Sequence, residues 1–363
     1  MYYSLSAEQR ALSESVRDLL GSRADPRSAY PAPGSAEAAP ESKLWSQFVD
    51  MGIAALLVPE ERGGSDAGPV ELILVAEEIG RAIAAVPFLG TSAASAALSS
   101  DGVEGAEDLL ERIATGTPAA IVVDDADVQA RETADEWQLD GAGGLVVDAA
   151  PGGDLLVGAT TRDGRALFHT TAAEVVPQVM VDRCRRVSTV RFQGTPARLV
   201  SSGAAAEAAI SRARAVGCLV LAADSAGVAA AVLDLTAEYA KTRHQFGLPI
   251  GTFQGVKHRL ADSLVLAENA RSATWGGAWA LAEKWSSLPE MIAMAKATAT
   301  ANGIAVAAAG VQLHGGIAIT WEHDMHLYLR RAKANELLLG EPSEHLETIA
   351  AALLDNRGGT AGG

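Results

Sequence analysis

Arg243, Gln245, Phe246 and Gln254 lie close together, in the run Arg243-His-Gln-Phe-Gly-Leu-Pro-Ile250 followed by Phe253-Gln254. Helical periodicity ends at the arginine, Gly247 and Pro249 force a turn, and a new helix is predicted near Thr252 with Gln254 in its first turn. A guanidinium, an amide side chain and the free N–H groups of a helix start would then meet, which is what a diphosphate requires. A capped helix hairpin with a surface arginine explains the same residues. Further on, Gln312-Leu-His314-Gly315-Gly316 closes another helix on two glycines. The backbone there can approach a ligand or a partner subunit closely, although a plain glycine C-cap also accounts for it. His314, His323 and His326 give no convincing face of three metal ligands, so no metal is expected.

The elements that must position these residues can be read from their periods. Ser6-Ala-Glu-Gln9 has the form of a capping box ahead of Leu12, Val16, Leu19 and Leu20. A Pro/Ser/Ala-rich loop is expected over 25–41, with helix again over 44–51 and over the run beginning Val70-Glu-Leu. From Ala119 the pattern changes to short apolar runs at 119–123, 136–139, 144–147, 155–159, 166–169 and 188–192, a β region. Helices return at 205–243, 252–284, 289–313, 324–338 and 343–354, joined by short links, as in an antiparallel bundle. The fold class expected is α+β. Its parts are an N-terminal helical domain (1–116), a small middle β-domain (117–202), a C-terminal helix bundle (203–357) and a flexible tail (358–363).

Composition bounds the function. The chain has 363 residues, 48% of them apolar, enough for two or three packed domains. A net charge of -16 argues against nucleic acid and anionic membranes as partners, while leaving room for small anions bound by a few placed arginines. No stretch reads as apolar enough to span a bilayer, and MYYSLSAEQR lacks the layout of a secretion signal. Cys184 and Cys218 lie in separate segments, and buried free thiols in the cytoplasm are expected. Alanine is abundant and favours closely packed helices.

In this order and separation the two motifs resemble the acyl-CoA dehydrogenase family. So does the helix–strand–helix order, and Val58-Pro-Glu-Glu-Arg-Gly-Gly64 and Ala76-Glu-Glu-Ile-Gly-Arg81 are close to family patterns. The resemblance implies FAD held between subunits, with one subunit binding the flavin ring and acyl-CoA. A neighbour contributes the arginine–phenylalanine turn and the glutamine–Gly–Gly segment to the diphosphate and adenosine. It further implies a glutamate that removes the α-proton while the flavin accepts the β-hydride. Carried onto this chain, the neighbour-side contacts are Arg243, Gln245, Phe246, Gln254, Gln312, Gly315 and Gly316.

The base is not filled. After Arg330-Arg331-Ala332-Lys333 the family position falls on Leu339, and the alternative position on the first bundle helix falls on Gly217, followed by Cys218. Leucine accepts no proton. In the middle region Asp124-Asp125-Ala-Asp127 stands where the family has a Thr/Ser/Gly-rich loop, and Leu145 and Val147 replace a ring-stacking tryptophan and a hydrogen-bonding threonine. A base-lacking subunit of an actinobacterial steroid-degradation-type heterotetramer fits this pattern. The expected assembly is α2β2 with two FADs, a homologous catalytic subunit binding most of the acyl-CoA. A stand-alone flavoprotein with a displaced base, Glu341 or Asp224, is the rival, and a non-catalytic acyl-CoA-binding or scaffold protein is the third reading.

Overall fold

The computed structural model describes residues 5–27, 42–123, 127–134 and 136–358. Among the described residues α-helices come first: α1 (Ala7–Arg23), α2 (Ser42–Asp50), α3 (Pro69–Ala82), α4 (Phe88–Leu98) and α5 (Glu107–Ala114). Strands follow: β1 (Ala119–Val122), β2 (Gln129–Glu132), β3 (Trp137–Val147), β4 (Asp154–Thr161), β5 (Gly164–Thr170), β6 (Glu174–Pro177) and β7 (Val187–Ser202). Then come α6 (Gly203–Thr242), the two-residue strands β8 (His244–Gln245) and β9 (Leu248–Pro249), α7 (Gln254–Ala282), α8 (Leu288–His314), α9 (Met325–Leu337) and α10 (Pro342–Gly358). The α+β class and the helix–strand–helix order are as expected. Of the expected loop over 25–41, the run 124–127 and the tail 358–363, residues 28–41, 124–126 and 359–363 lie outside the described residues.

By contact the chain forms two compact units. One comprises Met1–Ala24, Pro69–Ala84 and Cys218–Gly363; the other comprises Asp25–Gly68 and Ala85–Gly217. In the first unit α1 starts at a formed capping box, with Ser6 and Gln9 exchanging side-chain and backbone hydrogen bonds. Its arginine Arg17 reaches the buried Glu78 of α3 at 2.6 Å. Small residues let the helices approach closely. A Cβ on Gly80 would overlap the carbonyl of Asp224, and one on Gly227 would overlap that of Glu77, so α3 and α6 touch backbone to backbone. The core there is built from Val228, Val232, Val306, Ala307, Met325 and Ala332.

In the second unit β4 pairs with β1, β2 and β5, and the path β4–β2–β3–β7–β5 returns to β4, with β6 added on β7. Phe168, Phe192, Leu139, Val157 and Val190 fill its interior. Two expected strand runs, 136–139 and 144–147, prove to be one strand, β3, bent by register shifts after Leu139 and Gly143. Strands β2 and β6 were not among the expected runs. One further expectation is corrected. Two helical stretches, Gly203–Thr242 and Leu288–Ile319, are long and apolar enough to cross a membrane by length and composition. In the apolar window of the first, 89% of residues are buried inside the protein, as a core helix demands.

Candidate functional site

Helix α6 ends at Thr242, and the arginine run folds as a two-residue hairpin in which Gln245 pairs with Leu248 and His244 with Pro249. Phe246 (φ 54°) and Gly247 (φ 80°) form its tip, the positive-φ pair of a type I′ turn. Glycine fits that conformation freely; phenylalanine is strained in it. The hairpin is tied down at its base, where Arg243 N–H donates to the Tyr239 carbonyl and Ile250 N–H to the Arg243 carbonyl, both at 2.8 Å. Helix α7 starts at Gln254, two residues after the expected Thr252, so Gln254 does lie in its first turn.

The Arg243 side chain is exposed and has no ion-pair partner among the described residues. Phe246 is 93% exposed and meets the edge of Phe253, ring centroids 6.2 Å apart. Gln245 bonds the neighbouring His244 carbonyl, and Gln254 lies 3.3 Å from the His258 ring nitrogen one turn along α7. Lys257 and His258 share Gln254's side of the helix by their spacing and are exposed. These two polar groups near the turn were missed because only helix phase reveals them.

The second motif closes α8. Gly315 (φ 67°, ψ -146°) caps it, donating its N–H to the Val311 carbonyl. A Cβ on Gly315, Gly316, Gly247 or Gly255 would meet nothing within 4 Å, so the glycine backbone is open on that side. Gln312 is exposed beside it. The two motifs, far apart in sequence, are joined by one ring contact. Tyr239 stacks on His314 with centroids 4.3 Å apart and 22° between planes, and its hydroxyl donates to the His314 carbonyl at 3.4 Å. His323 lies 4.7 Å from His314, whereas His326 meets the edge of Trp321. No group of three His, Cys, Asp or Glu among the described residues could hold a metal.

The residues around the expected base position hold other roles. Leu339 (φ 58°) is half-buried, and its carbonyl accepts from the His345 ring at 3.1 Å. Buried Lys296 donates to the carbonyls of Glu336 and Gly340 at the end of α9. Asp224 is 1% exposed, paired with Arg331 at 3.2 Å and bonded by Asn335 at 2.7 Å. A carboxylate so enclosed is committed to structure rather than to taking a substrate proton. Glu341 is exposed, its N–H donating to the Glu344 side chain at the start of α10. Gly217 is buried within α6. In the second unit Leu145 is 38% exposed on β3, whereas Val147 is buried; neither side chain offers a hydrogen-bond donor.

An exposed guanidinium, an amide at a helix N-terminus and unobstructed glycine backbone together fit a diphosphate. Comparison with known proteins agrees on the family. Residues 204–354 match the model of the acyl-CoA dehydrogenase C-terminal domain, and residues 6–117 that of the N-terminal domain. The chain is 35% identical over 350 residues to the acyl-CoA dehydrogenase IpdE2 of Mycobacterium tuberculosis, covering 96% of this chain and 98% of that one. Among solved structures it resembles the ChsE4-ChsE5 complex from Mycobacterium tuberculosis (TM-score 0.86, 26% identity, 98% and 99% covered). It is also similar to the Tcur3481-Tcur3483 steroid ACAD in its G363A variant (TM-score 0.84, 28% identity, 97% and 99% covered).

Proposed function

Since the chain belongs to the acyl-CoA dehydrogenase family, we propose that it is one subunit of a FAD-dependent enzyme whose flavin ring and base reside on a homologous partner. Arg243, Gln245, Phe246, Gln254, Gln312, Gly315 and Gly316 would hold the diphosphate and adenosine end. Bound FAD would supply hydride acceptance during α,β-dehydrogenation of an acyl-CoA thioester. This chain's own contribution is to neutralise phosphate charge with Arg243, to offer N–H groups at the α7 start and the glycine backbone, and to exclude water with Phe246.

The observation that carries the reading is the contrast between Arg243, exposed and without an ion-pair partner among the described residues, and Leu339 at the place that the family resemblance assigns to the base. Two further features support it. Phe246, Leu248, Ile319 and Trp321, 93%, 50%, 73% and 57% exposed, put apolar surface around the same motifs, as a subunit contact requires. Similarity to structures of the ChsE4-ChsE5 complex and the Tcur3481-Tcur3483 steroid ACAD supports a homologous partner chain; the assembly proposed is α2β2, acting on a steroid-derived thioester. Two buried, unbridged cysteines suit a cytoplasmic setting.

The test is Arg243→Ala in the complex purified with its partner. A charge-assisted contact contributes about 1.5–3 kcal/mol, so FAD should dissociate at least tenfold more readily while the chain keeps its circular dichroism. Unchanged FAD affinity would remove Arg243 from the site. Full dehydrogenase turnover by the chain alone would overturn the shared-site reading.

A further inference from the structure

We propose that Tyr239 and His314 are positioning residues for this clamp, a ring pair that holds the Gly315–Gly316 backbone in place relative to Arg243. The inference rests on the diphosphate reading above and adds to it the device that keeps the clamp assembled. Tyr239 sits one helical turn before Arg243, and its carbonyl takes the Arg243 N–H at 2.8 Å. Its ring covers His314 at 4.3 Å, and its hydroxyl reaches the carbonyl of the very peptide that leads into Gly315. His314 is itself fixed on three sides. It is 5% exposed, its Nδ1 lies 2.8 Å from the Gly310 carbonyl, and His323 stands 4.7 Å away on the flank.

In the neutral ring, donation from Nδ1–H to that carbonyl defines the tautomer and leaves the buried Nε2 as an acceptor. The hairpin side is braced by contact too, since a Cβ on Gly251 would come within 3.0 Å of the Ala240 carbonyl. Gly315 needs its unusual φ and ψ, which almost no other residue adopts, so its orientation is set by whatever holds the residue before it. That residue is His314.

The experiment is calorimetric titration of the full chain with ADP, the diphosphate-bearing fragment, with thermal melting of every variant alongside. Wild type should bind ADP and Arg243→Ala should bind at least tenfold more weakly. His314→Ala and Tyr239→Leu should each weaken ADP about two- to tenfold, and the double variant no further, because one ring pair is lost in every case. His314→Phe, which restores the ring without the Nδ1–H, should return affinity to within about twofold of wild type. Lowered melting in His314→Ala with unchanged ADP affinity, or no rescue by phenylalanine, would overturn the positioning role and leave the clamp standing. Unchanged ADP affinity in Arg243→Ala, or no binding by wild type, would overturn the clamp and the ring pair together.

Discussion

At the scale of single residues, Phe246 is the side chain least explained by the fold of this chain. It is almost wholly exposed and sits at a positive φ. Strain of this kind costs about 1 kcal/mol or more and persists where something beyond local stability requires it. Asparagine is at home at that turn position. Phe246→Asn should therefore leave the melting temperature of the isolated chain unchanged or raise it, and should weaken retention of FAD and of the partner. Reduced stability together with intact FAD binding would assign Phe246 to folding instead. His314 makes a pH prediction. Burial first, then the nearby His323, lower its pKa below 6.5, while the Gly310 carbonyl opposes them. The folded state thus binds this proton less readily than the unfolded chain, and the associated stability is present above pH 6.5 and lost as pH falls toward the folded value. His314→Phe should flatten that part of the melting temperature against pH curve; an unchanged slope would show that other groups carry it.

At the scale of elements, the α3–α6 crossing depends on glycine rather than on side-chain fit. A Cβ at Gly227 would overlap the Glu77 carbonyl, and neither helix backbone can yield without moving a neighbour. Gly227→Ala should destabilise the chain by about 1–3 kcal/mol or more, despite alanine's better helix propensity, as read by chemical denaturation. A neutral or stabilising result would mean that α3 shifts freely. This crossing was not legible in the sequence, where Gly227 is one small residue in an alanine-rich run. The arginine hairpin and the double-glycine helix end were legible, because turns and caps are written in adjacent residues. Strand β2 was not, since Gln129-Ala-Arg-Glu132 buries only its alanine and shows no apolar alternation. The 40-residue α6 was recognised as a helix, yet its apolar length was underrated, since its apolar window, 89% buried, has no polar face to announce it. The joining of the two motifs through Tyr239 and His314 spans 75 residues and is purely tertiary.

At the scale of the whole molecule, the charge distribution and the apolar surface point in one direction. In a chain of net charge -16, Arg243 has no acidic partner among the described residues, and Phe246, Leu248, Ile319 and Trp321 of the two motif segments are exposed. In a solitary protein such a patch would favour nonspecific association, whereas a partner's matching surface would cover it and place the flavin phosphates against the arginine. The proposed division of labour then fixes the cofactor count: one FAD for each pair of unlike chains, because only the partner brings a ring site. Ile319→Asp or Trp321→Asp should put a charge into the covered surface, abolish co-purification of the partner and leave the isolated chain folded. The expected readout is mass by light scattering, falling from the four-chain assembly to separated subunits, with flavin absorbance lost from this chain's fraction. One FAD bound per chain in the intact assembly would contradict the division, since each copy would then own a complete flavin site.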